Sequence, residues 1–305
     1  MVEYQKICKK GGRCSIMEYE KMDAQIVDFY ENCAEAGRLE RRLGIIEFYR
    51  TKEILGQYLQ QGSVIYDVGG GIGMYARWLA AQGHQVHLLE LAGAQVDYAR
   101  EYMMAAGTVG GTEVPNPDGV KFAAEKADAR ALPRPDESAD AVLLMGPLYH
   151  LQKKEDRMLA LSEARRVLKK GGLLAAAGIS KYSSATWALS TYSDGNDFFE
   201  DDVYFRMLQE EITTGNHNRP EEYCRLVAQA YFHTAEGMEQ EVEEAGFRVL
   251  ATHAVEGCIW FTPNLNENWE RPEIREKLLE ILHLTEKDRE LMGMSPHFLT
   301  MAVKG

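Results

Sequence analysis

The glycine-rich segment at residues 67–75, DVGGGIGMY, constrains the fold of this chain more than any other feature, because four of five consecutive positions in it are glycine. The β-rich apolar run 64–66 precedes it, and a segment with helical apolar spacing follows it as far as Gly83. Glycine adopts the backbone angles of a tight turn and lets a ligand approach the main chain closely. A strand, a glycine turn and a helix in this order favour a nucleotide-binding α/β fold.

The same alternation of strand and helix continues along the chain. Strands that alternate with helices predict right-handed crossovers, a parallel sheet and a doubly wound α/β domain. Further strands are predicted at 84–91, 120–128, 139–146, 173–180, 247–257 and 297–305, with helices over 155–172, 234–247 and near 271–291.

The pattern also predicts how the chain is divided. Residues 181–233 interrupt the alternation with many aromatic side chains among polar and acidic ones, which indicates an inserted helical cap. We therefore expect an N-terminal helical lid at 1–60, a ligand-binding core at 61–180, the cap at 181–233, and the remainder of the core at 234–305.

Composition excludes several classes of function. The formal net charge of −13 opposes broad binding to nucleic acid or to an anionic membrane. No apolar run is long enough to span a bilayer, and the N-terminus lacks the apolar centre of a signal peptide. The five cysteines are scattered without metal-ligand spacing. We expect a soluble cytoplasmic protein with reduced thiols, no metal site, and a monomeric or homodimeric state.

Three kinds of ligand compete for the glycine turn. A phosphate-binding P-loop needs Lys followed by Ser or Thr after its last glycine, and Met74 and Tyr75 stand there instead. A dinucleotide fingerprint wants a third glycine where Met74 or Ala76 is found, which weakens that reading without excluding it. The G-x-G-x-G spacing of residues 69–73 suits S-adenosylmethionine better, because that ligand has no pyrophosphate.

Acidic residues follow three successive predicted strands. Asp67 can face the ammonium group of such a ligand, and Glu90 can accept hydrogen bonds from ribose hydroxyls, as it also would in an NAD site. Asp128 can accept from the adenine amino group while the Ala129 amide donates to the ring. Carboxylates at the corresponding ends of parallel strands predict a nucleoside site at one edge of the sheet.

Residues 64–91, 126–151 and 163–180 resemble successive motifs of class I S-adenosylmethionine-dependent methyltransferases, and residues 233–250 resemble a further element of that family. The similarity is greatest to the bacterial small-molecule branch, which includes the ubiquinone/menaquinone-biosynthesis-type enzymes. The resemblance implies a seven-stranded sheet with an antiparallel last strand, and S-adenosyl-L-methionine as cofactor. The candidate cofactor-binding residues are Asp67, Gly69, Gly70, Gly71, Gly73, Glu90, Leu91, Asp128, Ala129, Met145 and Gly146.

Methyl transfer from a sulfonium is an in-line displacement, so the protein mainly aligns the reactants, excludes water and, where needed, removes a proton. The segment MGPLYHL at 145–151 leaves the fourth predicted strand where the reactive methyl would lie in this fold. His150 is the first candidate for a general base or acceptor-orienting group, and Tyr149 and His233 are further candidates. Arg38, Arg41 and Arg42 either recognise an acidic substrate or form a solvated face paired with Glu40 and Glu47.

Four functions are compared. A methyltransferase acting on an O, N or C nucleophile of a small molecule fits best. An NAD-dependent oxidoreductase lacks a convincing proton-relay pair, and a non-catalytic cofactor-binding regulatory protein has the same motifs, because those motifs report binding alone. A macromolecular acceptor is disfavoured by the acidic charge and by MGPLY in the place of an Asn-Pro-Pro-Tyr-type motif.

Overall fold

The computed structural model describes residues 38–40, 43–104, 107–109, 112–114, 120, 122–192, 197–223, 226–227 and 229–305. The predicted first helix of the lid lies outside these residues. The described strands are β1 (Val64–Val68), β2 (Gln85–Glu90), β3 (Gly107–Val109), β4 (Thr112–Val114), β5 (Ala123–Lys126), β6 (Ala139–Leu144), β7 (Leu168–Ile179), β8 (Asn216–His217), β9 (Ala230–Tyr231), β10 (Phe247–Ala254) and β11 (His297–Lys304).

Helices lie between most of these strands. The described helices are α1 (Leu43–Tyr58), α2 (Met74–Ala81), α3 (Gly93–Met104), α4 (Pro147–His150), α5 (Lys154–Val167), α6 (Ser183–Ser190), α7 (Asp202–Thr214), α8 (Ala235–Glu244), α9 (Leu265–Trp269) and α10 (Pro272–Thr285). None of them, in the part of the chain that the structure describes, has the length and apolarity needed to cross a bilayer.

Seven strands form one mixed sheet in the order β10-β11-β7-β6-β1-β2-β5. The strands from β5 to β7 pair in parallel, and β11 lies antiparallel between β7 and β10. The predicted doubly wound sheet with an antiparallel last strand is confirmed. Because β11 runs the other way, its first residue, His297, pairs with Ile179 at the carboxyl end of β7.

The central strands are buried on both faces, as parallel strands between two helical layers must be. Along β6, Val142 and Leu144 belong to the core cluster on one face, and Ala141 and Leu143 to the cluster on the other. This burial explains why β6 reads as a continuous apolar run rather than as an alternation of polar and apolar residues.

One predicted boundary is wrong. The helix expected over 155–172 ends at Val167, and Lys169 and Lys170 already belong to β7. Pairing with β6 overrides the helical spacing: Leu168 lies opposite Ala139, and the Lys169 ammonium donates to Asp140 at 2.7 Å across the strands. Gly171, with φ of 76°, accommodates the register shift that follows.

The inserted segment begins and ends at one point of the core. Ser180 and His233 form a parallel bridge, and the His233 amide donates to the Ile179 carbonyl at 2.8 Å. Between these residues lie α6, α7 and the two-stranded antiparallel pair β8–β9, which was not predicted.

Arg157 on α5 joins three parts of the structure. Its guanidinium donates to both carboxylate oxygens of Glu241 on α8, at 2.8 and 2.6 Å, and to the carbonyls of Leu151 and Gln152. It also lies 3.9 Å from the ring centroid of Tyr231 in the inserted segment. Burial alone would raise the pKa of Glu241, but Arg157 and His233 lower it to about 2.

We expect Arg157→Met to reduce the free energy of unfolding by about 3–5 kcal/mol at pH 7, because it removes the arginine partner of the buried Glu241 carboxylate and leaves only the 3.4 Å contact with His233. The loss should be measured by urea denaturation, with Arg165→Met on the same helix as control, since the hydrogen bond from Arg165 to the Gly246 carbonyl is exposed. The difference between wild type and Arg157→Met should shrink as the pH falls from 4.5 towards 2, where Glu241 takes up its proton in the folded protein. A difference that is constant over this range would contradict the assignment.

Candidate functional site

A cavity that is partly open to solvent lies at the carboxyl edge of β1, β2, β5 and β6. It brings together residues that the sequence analysis selected from four separate strand ends. The predicted residues that line it are Asp67, Gly69, Gly70, Gly71, Glu90, Leu91, Asp128, Ala129, Met145, Gly146, Tyr149 and His150.

The glycine turn has a shape that side chains would prevent. Gly69 has φ of 68°, in the left-handed region, and a Cβ atom there would come within 2.6 Å of the Pro147 ring. A Cβ atom on Gly70 would collide with the Asp67 carboxylate. The turn therefore presents bare main chain to the cavity and packs directly against the segment that follows β6.

Gly73, one of the candidate cofactor-binding residues, lies outside the cavity lining. It precedes the first residue of α2 with φ of 86°, and a Cβ atom there would come within 2.7 Å of the Phe122 ring. Its glycine is needed for the turn into the helix and for packing beneath it.

Glu90 ties the glycine turn to the end of β2. Its buried carboxylate accepts a hydrogen bond from the Gly71 amide at 3.0 Å and another from the Ala92 amide at 2.9 Å. A carboxylate oxygen can accept more than one hydrogen bond, so this arrangement is compatible with a hydroxyl donor in the cavity. The residue predicted to bind ribose thus also holds the turn in place.

Within the described part of the chain, the Asp67 carboxylate is buried without a compensating partner. Its side chain is completely buried, and among the described residues neither carboxylate oxygen has a partner in good hydrogen-bond geometry. Burial, and secondly the charge of Glu90, raise its pKa to about 7. The Ala76 amide has only a weak, opposing effect on its pKa. A cationic ligand group would supply the missing counter-charge.

Asp128 is paired within its own turn. Its carboxylate accepts from the side chain of Arg130 at 2.7 and 3.0 Å, and from the Arg130 amide at 2.8 Å. Arg130 also lines the cavity, although the sequence analysis did not select it. An arginine two residues after an acidic strand end is only a weak indication of a cavity-lining residue, because most such ion pairs lie at the surface.

The segment after β6 forms the opposite wall. Pro147 begins α4, and Tyr149 and His150 line the cavity with ring centroids 4.7 Å apart. Burial, against the opposing effect of a hydrogen bond to the Gln229 backbone carbonyl, lowers the pKa of His150 to about 3. The ring is therefore neutral at physiological pH and a weak base.

His233 is not part of the cavity. Its ring is buried, with Nε2 3.4 Å from a Glu241 carboxylate oxygen and the ring edge against Tyr231. Burial lowers its pKa, in spite of Glu241. The His233 side chain is enclosed between the inserted segment and α8, away from the cavity.

Arg38, Leu39 and Tyr75 line the cavity as well. The Arg38 guanidinium donates to both carboxylate oxygens of Glu47, at 2.5 and 3.0 Å, so the predicted pairing with Glu47 is confirmed, but on the cavity side rather than on a solvated face. The local sequence does not show whether such an arginine faces the cavity or the solvent.

Glu47, Glu256 and His297 lie close enough together to share a cation, with ligand atoms within 4.8 Å of one another. Burial alone would lower the pKa of His297, but Glu256 and Glu47 raise it to about 9. His297 is therefore protonated at pH 7, and with Arg38 it balances the two carboxylates. We interpret the group as an ion-pair network, because its charges are already neutralised from within.

The buried carboxylate of Asp67 predicts a specific pH dependence. Its pKa is higher in the folded protein than the ordinary 3.8, so the ligand-free protein should lose stability as the pH rises from 4 to 7, by at most about 4 kcal/mol from this group. Asp67→Asn should remove this loss. Urea denaturation should therefore show a larger stability gain for Asp67→Asn over wild type at pH 8 than at pH 5. An equal gain at both pH values would show that Asp67 does not titrate in this range.

Comparison with known proteins agrees with the geometry. Residues 66–176 match the family model described as a methyltransferase domain. No curated protein matches the chain at a significant level. Similar solved structures include an S-adenosylmethionine-dependent methyltransferase from Methanosarcina mazei, with 19% identity and a TM-score of 0.54 over 82% of this chain and 96% of that one.

Two other solved structures show the same fold. A methyltransferase from Mesorhizobium loti is 17% identical, with a TM-score of 0.52 over 84% of this chain and 98% of that one. One from Aquifex aeolicus is 16% identical, with a TM-score of 0.50 over 90% and 98%. Residues 66–176 therefore match a methyltransferase domain, and the chain shares the fold of these solved methyltransferase structures.

Proposed function

We propose that the enzyme methylates an oxygen, nitrogen or carbon nucleophile of a small molecule, as the resemblance to the bacterial small-molecule branch suggests. The observation that carries this proposal is that the cavity, although partly open to solvent, has walls on two sides. Leu39 lines it from the N-terminal side, and Tyr149 and Leu151 line it from the segment after β6. An acceptor has to enter between these walls, which favours a compact molecule over a macromolecular surface.

The residues present fit S-adenosylmethionine. Asp67 would neutralise its ammonium group, and the buried, unsatisfied carboxylate is the observation that supports this role. Glu90 would accept from the ribose hydroxyls, and Asp128 and the Ala129 amide would hold adenine. The turn at 69–71, Leu91, and the main chain of Met145 and Gly146 would complete the site.

When bound, this cofactor supplies an electrophilic methyl group on a good leaving group. The chain has to align the acceptor, keep water out and neutralise charge. We assign the first two tasks to Tyr149 and His150, because both line the cavity beside the strand end of β6. His150 acts as a positioning group: with a pKa of about 3 it is neutral and poorly suited to accept a proton.

The inserted segment 181–233 is proposed as the acceptor-side cap. Gln152, just beyond α4, donates from its side-chain amide to the carbonyls of His217 and Ala230, at 3.2 and 3.0 Å. His150 is bonded to the Gln229 carbonyl in the same hairpin. The wall of the cavity and the cap are therefore held together, so a change in the cap is transmitted to the side chains beside the acceptor.

Glu90→Gln tests the cofactor site. We expect it to weaken the binding of both S-adenosylmethionine and S-adenosylhomocysteine by about 1.5–3 kcal/mol, the scale of hydrogen bonds to a charged group. Isothermal titration calorimetry should measure micromolar dissociation constants for wild type and no binding of NAD. The exposed Glu101→Gln on α3 is the matched control.

Wild-type affinity in Glu90→Gln would show that the ribose lies elsewhere. Binding of NAD but not of S-adenosylmethionine by the wild-type protein would refute the cofactor assignment altogether.

His150→Asn tests the difference between positioning and base catalysis. Formation of S-adenosylhomocysteine with a panel of small phenols, amines and carboxylic acids should fall roughly tenfold, the scale of a lost alignment rather than of lost proton transfer. Affinity for S-adenosylhomocysteine should stay close to that of wild type. The pH–rate profile between pH 5.5 and 8.5 should keep its shape, because His150 does not titrate there. Loss of a wild-type inflection near pH 6.5 in the variant would instead identify His150 as a general base.

A further inference from the structure

His217 in the inserted segment is buried with a hydrogen-bond acceptor at each nitrogen of its ring. Nδ1 lies 2.5 Å from a carboxylate oxygen of Glu211 in the last turn of α7, and Nε2 lies 3.0 Å from the Val227 carbonyl oxygen. An ionised carboxylate and a carbonyl oxygen both accept hydrogen bonds and donate none. A neutral imidazole carries a single N–H, so it could satisfy one of these contacts and would face the other with a lone pair.

The two contacts therefore require one proton more than a neutral histidine and a carboxylate hold together. That proton belongs on the imidazole, because the ordinary pKa of histidine lies above that of glutamic acid. Glu211 is completely buried, and among the described residues its second oxygen, Oε2, has no hydrogen-bond partner. An imidazolium at His217 supplies the counter-charge that this carboxylate needs, and removal of the proton breaks one of the two contacts.

The His217 ring is connected to the wall of the cavity by packing. It stacks on the Phe232 ring, with centroids 4.8 Å apart and an interplanar angle of 19°. Phe232 belongs to a buried apolar cluster that includes Ala230, and Tyr149 packs against this cluster. The Gln152 side-chain amide also donates to the backbone carbonyl of His217 at 3.2 Å. One stack and one apolar cluster thus lie between the His217 ring and Tyr149, which lines the cavity.

The charges of the pair reach titratable residues on the neighbouring elements. Burial lowers the pKa of His150 on α4 most, and the positive charge of His217 lowers it further. Tyr204 lies two turns before Glu211 on α7, and burial and the charge of Glu211 raise its pKa. The other titratable or charged side chains in the stretches 208–219 and 229–232 are Glu210, Arg219 and Tyr231. The charge of His217 thus favours the neutral form of the His150 ring.

We propose that His217 is a positioning residue for the acceptor side of the cavity. As an imidazolium bonded to Glu211 and to the Val227 carbonyl, it holds the strand pair β8–β9 against Tyr149 and His150. Its own ring does not line the cavity, so it acts through these two side chains. Because the folded protein holds this proton, the contact is complete at neutral pH and is lost as the pH rises. The proposal rests on the proposed function, in which Tyr149 and His150 align the acceptor.

The first measurement is the protonation state of His217 in the full chain, isotope-labelled at the histidine nitrogens and assigned with His217→Gln. Long-range proton–nitrogen correlation spectra at pH 7.5 should show both ring nitrogens of His217 in the imidazolium range, because each carries a proton. In Glu211→Gln the side-chain amide can donate to Nδ1, so the ring should be neutral and its two nitrogens should differ. Two widely separated nitrogen shifts in the wild type would contradict the proposal.

The second measurement is the rate at which diethyl pyrocarbonate modifies His150, read by mass spectrometry, because this buried ring reacts only when the wall opens. At pH 7.5 His217→Gln should raise the rate roughly tenfold, the scale of a lost hydrogen bond to a charged group in a local opening. Glu211→Gln, which keeps both contacts with a neutral ring, should stay within about twofold of wild type. His283→Gln is the matched control, since His283 forms an exposed pair with Glu53 at 2.9 Å.

A comparison at alkaline pH separates the effect of the proton from that of the ring. Between pH 7.5 and 9.5, with N-acetylhistidine as the reference for the reagent, wild type should lose protection of His150 whereas Glu211→Gln should not. The same pH dependence in both proteins, or unchanged modification in His217→Gln, overturns the proposal, and the first of these decides the case if His217→Gln does not fold. Failure of wild type to bind S-adenosylhomocysteine refutes the proposed function instead, and leaves the results on His217 and the wall standing.

Discussion

Two hydrogen bonds from backbone amides to the Glu90 carboxylate hold the functional end of the sheet together. They fix Gly71 in the turn after β1 and Ala92 in the turn after β2, so two adjacent crossovers share one anchor. The turn packs against Pro147 only because Gly69 has no side chain. Cavity shape therefore depends on one carboxylate and on bare main chain, both supplied by residues within a short stretch of sequence.

In the ligand-free protein, one charged group that lines the cavity is buried at a cost in free energy. Asp67 is buried without an adequate partner, and its raised pKa expresses the free energy of keeping it there. Elsewhere buried charges are compensated, as in Arg157 with Glu241 and in the network around His297. A group left unsatisfied among satisfied ones marks the place where binding, rather than folding, completes the structure.

The sheet and most of the cavity-lining residues could be predicted from local sequence patterns. Glu90 and Asp128 follow apolar runs, and parallel strands bring their carboxyl ends to one edge, so the spacing in sequence determines their proximity in space. The end of α5 was predicted wrongly because it depends on the pairing between β6 and β7. The environment of His233 likewise depends on packing, here of the inserted segment against α8.

The environment of Arg38 could not be predicted from the sequence. Its environment is completed by Glu47, Glu256 and His297, which are separated by most of the chain. The sequence identifies an arginine near acidic residues, and only the tertiary fold shows which side of it faces the cavity. The same applies to the pKa of His150, because residue type alone suggests titration near neutrality whereas burial removes it.

The bridge between Ser180 and His233 has a consequence for how this fold can diversify. Because Ser180 and His233 are neighbours in space, the segment between them does not affect the strand order of the sheet. Lengthening such a segment costs little free energy once its ends are fixed. The segment between them can therefore be exchanged as a cassette, longer or shorter, while β7 and α8 keep their places. The length of this segment can therefore vary while the strand order of the sheet is preserved.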